Sequence, residues 1–355
     1  MPIRIAINGF GRIGRLVTRI AKLRREFDIV AVNDLGDPES LATVFKYDSV
    51  HGLYPGSVEF DGSKITIDGD EISFLQEKDP AKLPWLAMSV DYVIEASGVF
   101  RKRTDIEKHI YAGAKRVILT VPSKDPVDAT IVLGVNTHEL KREHKLVSNA
   151  SCTTNCAAPV VKVLHENFGL TKGMLNTVHA YTNDQHLLDG AHKSDPRRAR
   201  MAALSIIPTE TGAGQAIGKV LPELAGKFSG MAMRVPVPDG SIIDLTFVSQ
   251  RPMSTESINA VFVAAAALDV WRGILTVTSD PIVSVDVVGN PHSAIVDLGM
   301  TQCLDAHMAK VYAWYDNEWG YSNRVVDLAE RMAAQDGIEV KFSPRGTGHI
   351  RQYEP

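Results

Sequence analysis

The 355-residue chain reads as an α/β protein in two parts: a doubly wound, mostly parallel sheet, then an α+β part with a mixed, largely antiparallel sheet. Three observations predict this. Short apolar strands alternate with helical segments as far as residue 151. A glycine-rich turn joins the first strand directly to the first helix. Beyond residue 152 the strands lengthen, many alternate in polarity, and Pro-Gly breaks separate them.

The elements follow in order. Ile3-Arg4-Ile5-Ala6-Ile7 is a strand, and Arg15-Leu16-Val17-Thr18-Arg19-Ile20 a helix. Between them stands Asn8-Gly9-Phe10-Gly11-Arg12-Ile13-Gly14, a G-x-G-x-x-G turn. Its glycines let the backbone turn tightly and approach a pyrophosphate, and the helix start offers N–H donors. The next strand, Ile29-Val30-Ala31-Val32, ends in Asn33-Asp34, and Asp34 lies 20 residues after Gly14, near where a ribose-binding acid is expected. Together these make a Rossmann dinucleotide-binding unit. Strands are expected at 90–96, 116–121, 129–134 and 145–147, with a helix at 104–111. Ser97-Gly98 and Thr120 sit at the C-terminal strand ends, where ligands bind in such sheets. A helix starts at Cys152 and opens the second part. Strands follow at 230–236, 241–249, 282–287, 293–298 and 310–315, with a helix at 254–267 and a final amphipathic helix at 323–334. Residues 336–355 read as a polar, loosely held tail.

The bulk properties narrow the function class. A net charge of −4 gives no argument for nucleic acid or an anionic membrane. Arg24-Arg25 and Arg197-Arg198-Ala199-Arg200 are local clusters. No apolar run is long enough to span a bilayer, and the chain enters a strand at once, which leaves no room for a secretory signal. Three cysteines, Cys152, Cys156 and Cys303, make neither a disulfide framework nor paired zinc-site spacing, so no metal is expected. A reducing cytoplasm is the expected location.

Ser151-Cys152-Thr153-Thr154-Asn155-Cys156 follows the turn Ser148-Asn149-Ala150 and precedes an apolar run with helical spacing. A cysteine at a helix N-terminus meets unpaired N–H groups and the positive end of the dipole, which favour thiolate. Taken alone, Cys152 fits a buried packing role better than a catalytic one; the dinucleotide turn and a base elsewhere reverse this in favour of a nucleophile. His179 closes the strand-like Leu175-Asn176-Thr177-Val178 and can project from its end. Oxidising an aldehyde by hydride transfer needs a tetrahedral adduct, which a thiolate makes, and a base to take the adduct's proton. Cys156 and Cys303 are assigned to packing.

Four motifs stand in order: the glycine turn, Ser148 to Cys156, His179-Ala180-Tyr181-Thr182, and Trp314-Tyr315-Asp316-Asn317-Glu318-Trp319-Gly320-Tyr321-Ser322. With them the chain resembles the phosphorylating glyceraldehyde-3-phosphate dehydrogenases of bacterial type over residues 2–334. The resemblance implies a homotetramer that oxidises an aldehyde phosphate with NAD and inorganic phosphate to an acyl phosphate. It implies an NAD-binding domain at 1–151, with a helix at about 317–335 packing back on it, and a catalytic domain at 152–316. It makes Cys152 the nucleophile and His179 the base. It places Gly9, Gly11, Arg12, Ile13, Asp34, Lys78, Ser97 and Thr120 around the cofactor, Asn317 on the nicotinamide carboxamide, and Tyr321 beside it. Thr182, Asp184 and Arg234 map to the substrate-phosphate site, with Asp184 expected to orient Arg234 or a hydroxyl. Ser151, Thr153, Arg197, Thr211 and Gly212 map to the attacking-phosphate site. An internal ion pair is the competing explanation for Arg234.

Two readings compete with this one. Pro291-His292-Ser293-Ala294-Ile295-Val296-Asp297 looks like the sister erythrose-4-phosphate dehydrogenases, whereas the loops around Thr182 and Thr211 follow the glyceraldehyde-3-phosphate pattern. A non-enzymatic redox sensor or scaffold would not need thiol, histidine, arginine and Asn317 together. Asp34 favours NAD. Gly190-Ala191 stand where NAD-specific relatives carry Leu-Pro, so NADP is expected as a poorer alternative.

Overall fold

The computed structural model describes residues 2–24 and 26–340. Arg25 and most of the expected tail lie outside the described residues. The N-terminal sheet is built on the strand Ile3–Asn8, which pairs in parallel with Phe27–Asn33 on one side and Tyr92–Glu95 on the other. From there it runs outward through Arg116–Leu119, Leu146–Ser148 and Ala129–Thr130 on one flank, all parallel. On the other flank, Asp70–Leu75 pairs in parallel with Phe27–Asn33, and Lys64–Ile67 and Val58–Phe60 add antiparallel edge strands. The strand order therefore reverses between Ile3–Asn8 and Tyr92–Glu95. Such a reversal leaves a crevice at the C-terminal strand ends.

The glycine turn lies at that crevice. Gly9 has φ 96°, and a side chain there would run into the backbone of Ala96 and Ser97. The turn thus presses directly on the neighbouring strand end. The helix Arg12–Lys22 follows and buries Leu16, Val17, Ile20 and Ala21. A fully buried side chain of the Leu, Ile or Val kind contributes roughly 1.5–3 kcal/mol.

The second sheet has the order Ile207–Glu210, Phe228–Val235, Leu170–Ala180, Ser241–Ser249, Met308–Tyr315, Ala294–Asp297, Leu275–Thr278. It is mixed: Leu170–Ala180 runs parallel to Phe228–Val235 and antiparallel to Ser241–Ser249. The helix Cys152–Phe168 packs on it through Cys156, Val160, Val161 and Leu164, and ends on Gly169 at φ 67°.

Three expectations need correction. Residues 282–287 are not a strand; Ser284–Val287 is a 3₁₀ turn held by the Val283 N–H on Asp286 Oδ2 at 2.8 Å. Val283 and Val285 are exposed, so their alternation marks no buried face, and the edge strand is Leu275–Thr278 instead. The 129–134 strand shrinks to Ala129–Thr130, because the Asn136 side chain turns the chain by accepting from Val132 N–H. The last helix spans Trp319–Gln335 and is buried on most sides. Its charges are internal: Asp327 and Glu330 meet Arg24 at 2.6 and 2.8 Å.

Candidate active site

The crevice continues into a cleft of about 630 Å³, open to solvent, between the two sheets. Gly11, Arg12, Ile13, Ser97, Gly98 and Thr120 line it from the first sheet, and Ser151, Cys152, His179, Thr182, Asp184, Asn317 and Tyr321 complete it. The structure therefore brings most of the expected residues to one cavity.

Cys152 opens its helix because the chain reverses sharply before it. Ala150 takes a left-handed φ of 54°, and the Ser151 hydroxyl caps the helix by accepting from Thr154 N–H at 3.1 Å. The strand Leu170–Ala180 carries His179 to the same place, with Nε2 3.4 Å from the Cys152 sulfur. Arg234, paired with His179 across parallel strands, reaches behind the ring. Its NH1 lies 2.6 Å from His179 Nδ1 and 2.9 Å from the Ala180 carbonyl. Among the described residues no carboxylate lies within 4 Å of Arg234, so the internal ion pair is not formed.

Burial dominates the electrostatics. It pushes the Cys152 thiol up, against the pull of Arg234 and the Thr153 hydroxyl and N–H. It also brings His179 down to about 3, with the Arg234 charge adding to the effect. Burial therefore outweighs the helix N-terminus in its effect on the thiol, contrary to the simple dipole argument. Both shifts oppose a lone charge. Transfer of the thiol proton to the imidazole creates no net charge and is the low-cost route to a thiolate.

Donor and acceptor counts refine the other roles. Ser241 Oγ donates to Asn317 Oδ1 at 2.6 Å, which leaves the Asn317 amide N–H₂ as a donor for the cleft. Tyr321 spends its hydroxyl proton on the Ala150 carbonyl at 3.1 Å and serves as wall. Ser97 donates to Glu95 and Thr120 to the Glu95 carbonyl, so both face the cleft without a spare hydroxyl proton. The Arg12 guanidinium is held by Glu318 and Asp48; burial works against its charge, but the two acids raise it. What Arg12 and Ile13 offer a ligand is backbone N–H, since the first bond of their helix runs from Arg15 N–H to the Gly11 carbonyl. Asp34 Oδ2 accepts from Phe10 N–H at 2.7 Å and Oδ1 from Gly36 N–H at 2.8 Å, fixing the carboxylate next to the glycine turn.

Some expected residues lie elsewhere. Lys78 is exposed and does not line the cleft. Arg197 is exposed and lines a separate depression with Ser194 and Pro208. Its neighbour Arg198 lines the same depression but is half-buried, binding Asp184 and donating to Thr209 Oγ1 at 2.8 Å. Asp184 thus orients Arg198, not Arg234. Two adjacent arginines carry no sequence signal to choose between them. Thr211 and Gly212 stand at the start of the helix Ala213–Val220, outside the cleft wall. Thr153 turns its hydroxyl to Tyr315 at 3.0 Å, and Tyr315 also meets Thr177 at 2.9 Å. Tyr315, edge-on to the His179 ring, was not singled out from the sequence. His51, Asp239 and Asp316 each bring a potential metal-ligand atom within 4.8 Å of the others. Burial, then Asp316 and Glu318, hold the Asp239 carboxyl well above the usual carboxylate range.

Comparisons with known proteins cover both parts of the chain. The family model described as "Glyceraldehyde 3-phosphate dehydrogenase, NAD binding domain" matches residues 3–103, and "Glyceraldehyde 3-phosphate dehydrogenase, C-terminal domain" matches 151–317. A glyceraldehyde-3-phosphate dehydrogenase of Borreliella burgdorferi is 55% identical over 93% of this chain and 99% of its own length. That of Geobacillus stearothermophilus is 50% identical over 94% and 99%, and that of Zymomonas mobilis 49% over 94% and 99%.

Proposed function

Because the chain belongs to the glyceraldehyde-3-phosphate dehydrogenase family, we propose that it oxidises D-glyceraldehyde 3-phosphate with NAD and inorganic phosphate to 1,3-bisphosphoglycerate. The observation that carries this is the Cys152 sulfur 3.4 Å from His179 Nε2, in one cleft with the Gly11–Ile13 helix start and Asn317. The residues present fit NAD. A side chain built at Gly11 would meet nothing within 4 Å, so the backbone there is open to a pyrophosphate. NAD, when bound, supplies the hydride acceptor.

The chain's own groups do the rest. The Cys152 thiol gives its proton to His179 Nε2, and the sulfur adds to the aldehyde carbon. The resulting oxyanion takes that proton back from His179 Nε2 and becomes a thiohemiacetal. His179 Nε2 removes that hydroxyl proton as the C–H hydride departs, leaving a thioester on Cys152. A phosphate oxygen then attacks the carbonyl, the C–S bond breaks, and the thiolate leaves. The N–H groups at the start of the Cys152–Phe168 helix suit the developing oxyanion. Arg234, whose charge is disfavoured by burial first and by the Arg198 charge after it, makes with Arg198 an anion site for substrate phosphate. Ser151, which lines the cleft beside Cys152, suits the attacking phosphate.

We also infer a division at 1–151 and 152–316, with the last helix returning to the first part. Tyr92 binds Asp336 at 2.6 Å and Arg116 binds the Met332 carbonyl at 3.3 Å, which supports that return. A homotetramer is inferred from apolar side chains left in the open. Leu187, Leu188, Leu204 and Ile206 are 68–77% exposed, and Met174 and Met231 stand on the open face of the second sheet. Three free cysteines suit a reducing cytoplasm. The test of the activity is formation of reduced cofactor from glyceraldehyde 3-phosphate, dependent on inorganic phosphate.

A further inference from the structure

Arg234 NH1 stands 2.6 Å from His179 Nδ1, and a guanidinium can only donate. While it is there, Nδ1 must carry a lone pair. The ring of a neutral His179 then holds its single proton on Nε2, the atom 3.4 Å from the Cys152 sulfur. An Nε2 that already bears a proton cannot accept one from the thiol or from the adduct hydroxyl. A second arrangement is built into the same groups. The Ala180 carbonyl lies 2.7 Å from Nδ1 and 2.9 Å from NH1, so it can accept from either. If NH1 withdraws, Nδ1–H donates to that carbonyl and Nε2 becomes an acceptor.

We propose that Arg234 gates the base: it holds His179 in the unproductive tautomer until an oxyanion draws the guanidinium away. This deepens the reading given above and rests on it. The driving force is on hand. Arg234 is half-buried with no carboxylate within 4 Å among the described residues, and burial disfavours its charge, with the Arg198 charge adding to this. A phosphate dianion between the two arginines forms charge-assisted bonds that a neutral imidazole nitrogen cannot match. The tautomer change balances in protons: one leaves Nε2 and one arrives at Nδ1, through solvent. The thiol proton then moves to Nε2, and the imidazolium keeps its Nδ1–H on Ala180. Arg234 is thereby a positioning residue for the base, besides its part in binding.

The test uses glyceraldehyde, which lacks the phosphate, with phosphite as a separate oxyanion. The pre-steady-state burst of reduced cofactor reports acylation. In the unmodified protein, phosphite should raise the burst rate constant at least about tenfold, the factor for 1.4 kcal/mol. In Arg234→Leu the burst with glyceraldehyde alone should exceed that of the unmodified protein without phosphite, and phosphite should have no further effect. A residue that only anchors phosphate would leave the glyceraldehyde burst unchanged in the variant. That outcome overturns the proposal, and so does a lack of phosphite response in the unmodified protein, which is measured whether or not the variant folds. No reduced cofactor from glyceraldehyde 3-phosphate itself would instead overturn the proposed activity.

Discussion

The Cys152 sulfur and His179 Nε2 meet at 3.4 Å although one residue opens a helix and the other ends a strand. A proton passing from the half-buried thiol to a free Nε2 leaves no net charge in the cleft. Cys156 has no such partner. It is fully buried, with its sulfur 3.8 Å from the Ala313 carbonyl.

Replacement of Cys152 by Ser is therefore expected to lower kcat by more than about 10³-fold while NAD binding stays within about twofold. Cys156→Ser should keep most of the activity. Steady-state kinetics with cofactor titration check this, and equal losses in the two variants would remove Cys152 from the nucleophile role.

His179→Asn should slow acylation by about 10²–10⁴-fold, the usual scale for a general base. It should also slow alkylation of Cys152 by iodoacetamide at pH 7 in phosphate buffer. With the imidazole gone, the thiol has no nearby base to take its proton, and burial still holds its pKa up. Unchanged alkylation kinetics would contradict the pairing.

The pH dependence of stability follows from the same ring. His179 drops from its ordinary 6.5 to about 3 on folding, through burial first and Arg234 second. Below about pH 6.5 the unfolded chain binds a proton there and the folded chain does not. Stability is thus lost as the pH falls, by up to about 1.4 kcal/mol per pH unit until the folded value is reached. Unfolding free energies from pH 7 to 4 should show this slope in the original protein and a shallower one in His179→Asn. Parallel curves would mean that His179 is not held neutral.

Cofactor choice depends on Asp34, fixed by the N–H groups of Phe10 and Gly36. Its charge repels a 2′-phosphate. In Asp34→Ala, kcat/KM for NADP should rise about tenfold relative to NAD, corresponding to about 1.4 kcal/mol. A preference for NADP in the unmodified protein would refute the charge argument.

Local rules made much of this legible. The glycine turn reads directly because only glycine fits Gly9 against Ala96 and Ser97, and the cap at Ser151 announces the Cys152 helix. The strand Ser241–Ser249 keeps a strict buried–intermediate alternation. Where tertiary context decided, sequence patterns misled. Val283-Ser284-Val285-Asp286-Val287 alternates, yet Asp286 closes a turn on itself. The charges of the final helix mimic a solvated face but are buried in ion pairs with Arg24. Which of Arg197 and Arg198 is half-buried depends on Asp184, Asp195 and Thr209, brought together only by folding. The contact of Arg234 with His179 needs parallel pairing of strands far apart in sequence.

The most direct test of the account is reduced-cofactor formation by the purified protein with glyceraldehyde 3-phosphate and with erythrose 4-phosphate, each with and without inorganic phosphate. The account predicts sustained turnover with glyceraldehyde 3-phosphate and phosphate, and a single burst per active site without phosphate, because the thioester on Cys152 then has no acceptor. Higher kcat/KM for erythrose 4-phosphate, or turnover indifferent to phosphate, would contradict it.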